Sequence, residues 1–290
     1  MTYGWAILII AIVMVALFQL GVFNGTFFAP RATAGACEVY RSVEGINLVG
    51  QCQGELPQFV AQFNGNGYIH GSTNNVGAAI AQTEIGTISF WININSWPTS
   101  WSELVDTQSN NLFFVHTDNS DRIFVCDTPQ SVSYPGGYVN CPIIYSGIAL
   151  GQWVLITATM GLNPGYTLNY LNSGYSTSAN MALYVNGALV SNVITSPTYD
   201  GVPSPFQINS GGQYWGGSLA NAQIYNTSLS ANEVNALYLE GIGGAPVDPT
   251  HIVGWWPLNG NAQDYSGNNN GGVPTNVVYT SSWTSGYTQP

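Results

Sequence analysis

Lysine is absent from the 290 residues, and arginine occurs three times, at Arg31, Arg41 and Arg122. Against 14 acidic residues this leaves a formal net charge of −11. Phosphate neutralisation needs lysine and arginine, so nucleic acid is excluded as a partner. Charged residues make up only 6% of the chain, so solubility must come from Asn, Ser, Thr and Gly. No CxxC pattern occurs among the four cysteines, which argues against a zinc site. Paired catalytic carboxylates are also missing. Glycoside hydrolysis needs two, roughly 5–9.5 Å apart across a cleft. Glu103 and Asp106 are three apart, which on a regular strand places them on opposite faces, and Glu84 stands alone. His70, His116 and His251 are scattered and have no nucleophile beside them. No catalytic residue is assigned, and a glycoside hydrolase is the remote alternative.

One long hydrophobic run is present. Gly4 to Phe23 is apolar over 20 residues with a single polar interruption, Gln19. As a helix it would span roughly 30 Å, the thickness of a bilayer's hydrocarbon core. Tyr3 and Trp5 flank one end and Phe23, Phe27 and Phe28 the other, the pattern of interfacial aromatics. Three readings stay open. A cleaved signal peptide would need a basic n-region, and no basic residue precedes Arg31, although Ala34-Gly35-Ala36 is a candidate cleavage site. The others are a membrane anchor and a helix that packs against copies of itself in a filament core. Met1 to Ile10 (MTYGWAILII) resembles the N-terminal helix of archaeal pilin-like proteins with class III signal peptides. That resemblance implies an extracellular filament. The basic leader that precedes such helices would lie before Met1.

Cys37 and Cys52 are 15 apart, and so are Cys126 and Cys141. Two extracellular disulfides are expected. Local pairing is favoured over the other two connectivities because each pair encloses a Gly- or Pro-containing loop, and buried free thiols are the alternative. Asn24-Gly25-Thr26 and Asn226-Thr227-Ser228 are glycosylation sequons.

Residues 1–24 are assigned to the hydrophobic helix, 25–36 to a linker and 37–290 to an all-β body. In that body Thr87–Asn95 alternates with period two and should be half buried. Gln152–Met160 repeats the pattern. Met181–Val190 reads as a hairpin turning at Asn186-Gly187, and Gly217–Tyr225 is another strand. Ser230-Ala231-Asn232-Glu233 is a capping box opening one short helix that should end at Gly241 or Gly243.

The order of these elements over about 59–241 resembles the laminin-G-like, concanavalin A-type jelly roll. Ile88-Ser89-Phe90-Trp91-Ile92, Gln152-Trp153, Leu183-Tyr184-Val185-Asn186-Gly187, Gly217–Tyr225 and Leu229–Tyr238 carry the likeness. Val253 to Gly272 looks like the opening strand and loop of the same family, which usually precede the body. The segment 251–290 must therefore dock its apolar face (Val253, Trp255, Leu258, Val277, Tyr279). It can complete its own sandwich as a permuted strand or insert into a neighbour as a donated one, unless the chain is truncated. The resemblance also implies a Ca²⁺ ion at Asp264 with Asn268 and Asn270, although Asn221 stands where relatives commonly carry Asp; the simpler role for Asp264 is to cap a turn. Carbohydrate binding would use an aromatic platform, with Trp97, Trp101, Tyr134, Tyr138, Tyr214 and Trp215 as candidates. The alternative is that these rings fill the sandwich or a subunit interface. The function expected is a non-enzymatic surface protein: a filament subunit displaying the sandwich outside the cell, or a membrane-anchored lectin-like binder of surface glycans. Its partners would be the membrane and copies of itself through the N-terminal helix.

Overall fold

A computed structural model describes residues 56–83, 85–107, 113–127, 140–162, 179–195, 205–210 and 214–290. The N-terminal apolar run, Asn24, Cys37, Cys52, Glu84, Tyr134 and Tyr138 lie outside those residues. No helix among the described residues is long and apolar enough to cross a membrane.

The chain forms β1 (Val60–Gly71), α1 (Asn75–Thr83), β2 (Gly86–Ser96), β3 (Ser102–Asp106), β4 (Phe113–Thr117), β5 (Arg122–Asp127) and β6 (Asn140–Ser146). Next come β7 (Trp153–Leu162), β8 (Ala179–Val185), β9 (Ala188–Thr195), β10 (Gln207–Ser210), β11 (Gly216–Tyr225), α2 (Ala231–Glu240), β12 (Ile252–Trp256) and β13 (Gly272–Thr280). The strand ladders are antiparallel and build a jelly-roll sandwich of two layers. The front layer runs β6-β5-β4-β3-β10-β1-β13, and the back layer runs β9-β8-β7-β2-β11-β12. They join where Ala61–Asn64 pair with Gly216–Leu219. Inward residues from both, among them Phe90, Ile92, Val115, Val125, Ile156, Leu183, Ile208 and Leu219, form the main core.

β2 departs from the half-buried strand that its alternation predicts, because its first nine residues are all buried. Ile88, Phe90, Ile92 and Ile94 face the core between the layers. Trp91 faces away from it, into a second cluster with Trp153, Val234, Leu237, Ile242 and Trp283. Helix α2 and the chain's end thus cover the outer face of the back layer. The capping box is present, with Ser230 as N-cap and Glu233 returning to its backbone N–H, and the helix stops at Gly241. The hairpin also forms as expected: β8 and β9 meet at Asn186 and Gly187, whose φ angles of 50° and 76° suit a type I′ turn. A second helix, α1, corrects the expectation of one. Val76 and Ile80, one turn apart, bury completely in the main core.

The segment 251–290 pairs within its own sandwich. β12 pairs with β11, and β13 pairs with β1 from Val60↔Thr280 to Gly71↔Gly272. Val253 and Leu258 enter the main core and Trp255 the second cluster, while Val277 and Tyr279 pack against the main core. The tail beyond β13 straps across the back layer. Trp153 Nε1 donates to the Trp283 carbonyl (2.8 Å) and its backbone N–H to that of Gly286 (3.0 Å). Trp283 Nε1 donates to the Pro57 carbonyl (3.1 Å).

Candidate functional site

The outer face of the front layer brings together aromatic, acidic and histidine side chains. Strand alternation turns Phe114 and His116 of β4 outward, opposite Cys126 and Phe124 of β5. On β3 a register shift between Glu103 and Val105 makes Leu104 an extra residue. Such a bulge reverses the parity of the residues beyond it. Glu103 therefore faces outward opposite His116, and Asp106 faces outward opposite Phe114. This corrects the expectation, drawn from regular alternation, that the two carboxylates occupy opposite faces. Across β10, Glu103 lies opposite Ser210, and Asp106 lies opposite Gln207, which in turn pairs with His70 of β1. Two rows result: Phe124–His116–Glu103–Ser210 and Phe114–Asp106–Gln207–His70.

Trp101, at the end of the β2–β3 loop, packs over the first row. Its ring lies 4.7 Å from that of Phe124 and 5.1 Å from that of His116, and it is 46% exposed. Arg122 lies over the Phe124 ring at 5.2 Å, and its Nε donates to Asp118 Oδ2 (2.9 Å). On the other side Tyr214 stacks nearly parallel to Tyr68 at 6.1 Å, and Tyr68 lies 4.6 Å from His70.

Burial sets the protonation of this face. The Ser210 hydroxyl donates to the Glu103 carboxylate. Desolvation raises the Glu103 pKa, opposed by that hydrogen bond and by His70. Desolvation also lowers the His116 pKa to about 4, opposed by Asp118, so the imidazole is neutral near pH 7. His116 is only 9% exposed, and its Nδ1 has no hydrogen-bond partner among the described residues. Leaving a buried polar atom unmet costs roughly 1–3 kcal/mol. Asp106 is fully buried.

The candidate aromatics divide. Trp101 and Tyr214 belong to this face. Trp215 does not: it is completely buried and packs on Phe63 at 5.3 Å, a core residue. Trp97 packs partly buried against the main core. Sequence reading did not place His116, Phe124 or Tyr68 here; the signal was their alternation on strands flanking a Trp-bearing loop, which becomes visible only once strand order is known.

Cys126 and Cys141 are bridged, tying β5 to β6 beside Phe114 and Phe124. Asn226 is half-buried and its side-chain oxygen is enclosed. His251 pairs at the surface with Asp248, Nδ1 to Oδ2 2.6 Å.

The calcium candidates do not fit an ion as arranged. Asp264 Oδ1 accepts from the backbone N–H groups of Trp255 (3.0 Å) and Ser266 (2.9 Å). Its Oδ2 accepts from the Ser266 hydroxyl (2.9 Å) and the Asn270 N–H (2.8 Å). A carboxylate offers about four lone-pair sites, and protein donors fill all of them. The Asn268 and Asn270 amides donate to the Val253 carbonyl (3.1 and 2.8 Å), and Asn270 Oδ1 accepts from Thr73 (2.8 Å). The loop is a hydrogen-bonded knot. No group of three or more His, Cys, Asp or Glu side chains among the described residues is placed to hold a metal.

A two-layer antiparallel jelly roll of this strand order defines a concanavalin A-type sandwich. The chain belongs to the concanavalin A-like lectin/glucanases superfamily, whose laminin-G-type pattern matches residues 63–235. Among curated proteins none matches. A Bacteroides ovatus protein proposed to bind carbohydrate shares the fold at a TM-score of 0.51 and 13% identity, over 78% of this chain and 60% of that one. The chain thus spans less than two thirds of that protein. A heptameric SAP-like pentraxin from Limulus polyphemus is similar at a TM-score of 0.43 and 13% identity, over 77% of this chain and 94% of that one. The binding domain of botulinum neurotoxin DC, solved with SialylT, gives a TM-score of 0.40 and 17% identity over 64% and 47%.

Proposed function

We propose that the chain is a non-enzymatic carbohydrate-binding surface protein, and that the outer face around Trp101 is its sugar platform. The observation that carries this is the exposed Trp101 ring, backed by Phe124 and His116 and flanked by the polar row Glu103–Ser210. A flat apolar ring beside hydrogen-bonding groups suits a sugar, which has one C–H face and a rim of hydroxyls. Hydrolysis is disfavoured because an acid or base must come within hydrogen-bond reach of the substrate, and Asp106 has no exposed surface. The test is a glycan array probed with the full chain and with Trp101→Ala. Selective binding by the first, lost in the second while its melting profile is unchanged, supports the reading. No binding, or equal binding by both, overturns it.

A filament subunit is the second reading, favoured by the 20-residue apolar run Gly4–Phe23. Such a helix, packed against copies of itself or inserted in a membrane, would carry the sandwich outside the cell, with the Asn24 sequon next to it. Negative-stain microscopy of surface fractions separates the two forms. Fibres made of this chain alone support the filament, and detergent-released single particles support the anchor.

A further inference from the structure

We propose that His116 reads a hydroxyl of an uncharged sugar from beneath Trp101, and that acidic sugars are turned away at the same place; this rests on the carbohydrate-binding reading above. His116 is more than nine-tenths buried, and Nδ1 forms no hydrogen bond among the described residues. The ring packs against Trp101 at 5.1 Å and against Phe114 edge-on at 5.5 Å. Buried polar atoms in native proteins almost always have a partner, and an orphan in a packed ring points to a partner that arrives. Sugar hydroxyls both donate and accept, so one satisfies Nδ1 in either tautomer. Trp101, nearly half exposed and carried on a loop, is the ring a ligand must stack on or displace to reach it.

The surrounding charges select the ligand class. Glu103 on β3 faces His116 on β4, Asp106 is buried further along β3, and Asp118 comes just after His116 at the end of β4. Among the described residues, Phe114, Phe124 and Trp101 also surround His116 and carry no charge. Arg122 is the only arginine or lysine among the described residues, and it is committed to Asp118. A carboxylate-bearing sugar would meet the Glu103 carboxylate beside His116, and the one described arginine already faces Asp118. Burial keeps His116 itself neutral near pH 7, so it offers no positive charge either.

The test uses the full chain against neutral, amino-bearing and carboxylate-bearing oligosaccharides, with His116→Phe, His116→Asn and Trp101→Ala as variants. Asn places an amide near the position of Nδ1, whereas Phe keeps the ring without the nitrogen. The expected result is binding of neutral sugars, with carboxylated ones at least about tenfold weaker. His116→Phe should lose about tenfold in affinity and His116→Asn should stay within about threefold of the parent. Trp101 fluorescence should shift on saturation. Should Trp101→Ala lose binding while His116→Phe keeps it, the inference falls and the carbohydrate reading stands. Preference for carboxylated sugars overturns the charge argument whether or not His116→Phe folds. If no sugar binds the parent chain, both fall.

Discussion

His116 and Glu103 are cross-strand neighbours, and burial drives their titrations in opposite directions. The unfolded His116 protonates near 6.5, whereas the folded side chain does so only at about 4. Between those values the unfolded state holds the extra proton, so stability is complete above pH 6.5 and falls as the pH drops toward 4. The loss amounts to about 3 kcal/mol over that window. Denaturant titrations across the range should show this slope in the parent and flatten it in His116→Phe. Glu103 works the other way. Its folded pKa is raised, so its contribution to stability is lost as the pH rises above 4.5. Glu103→Gln, which still accepts from Ser210, should therefore melt higher than the parent at pH 7 and equally at pH 4, as measured by calorimetry. Neither group was legible as a site member in the sequence. His116 reads as one of three scattered histidines without a nucleophile beside it, and Glu103 and Asp106 read as divergent until the bulge at Leu104 is placed. Bulges depend on the partner strand, so local spacing does not reveal them.

Among the elements, those governed by local chemistry were legible and those governed by distant contacts were not. Asn186-Gly187 demands a primed turn wherever it stands, and Ser230 with Glu233 satisfies a helix start by itself. Helix α1 sets Val76, Ile80 and Ala81 into the core from a nine-residue segment too short to stand alone, and it forms because the sandwich buries them. The bridge at Cys126–Cys141 closes a separation of 15 residues between neighbouring strands. Replacing both cysteines by Ala should cost about 3 kcal/mol in the chain-entropy model, read as a lower denaturant midpoint. The effect should also reach glycan binding, because the bridge packs beside Phe114 and Phe124 beneath the platform. The loop at Asp264 gives an independent test. Asp264→Ala strands three backbone N–H groups, those of Trp255, Ser266 and Asn270, and should destabilise by at least about 2 kcal/mol. Millimolar calcium should leave the parent's melting temperature unchanged, and a clear rise would mean that the knot opens to take the ion.

At the scale of the whole molecule, the segment 251–290 decides whether the sandwich exists. Its family-like opening strand was readable from Val253–Gly272, but its destination was not, because the pairing of Gly272–Thr280 with Val60–Gly71 has no local signature. In the structure it supplies a strand to each layer and then straps the back layer through Trp283 and Gly286. Gly286 is required there: φ is 76°, and a Cβ would lie 1.9 Å from the Gly151 carbonyl oxygen. Trp283 also reaches the Pro57 carbonyl at the start of β1 (3.1 Å), so the end of the tail and the entry to the body are neighbours. A permutant that begins at His251, joins Pro290 to Leu56 through a short glycine-serine linker and ends at Thr250 keeps every described pairing. It should fold as a monomer that melts within about 5 °C of the parent trimmed to residues 56–290, because distant contacts are unchanged and loop closure varies slowly with length. Chain 56–250 alone should fail to fold, since it loses β12, β13 and the strap, and then recover when the 251–290 peptide is added. Circular dichroism melts and sedimentation decide the matter. A parent that itself sediments as a dimer or larger species would show that the tail's partners lie in a neighbouring subunit.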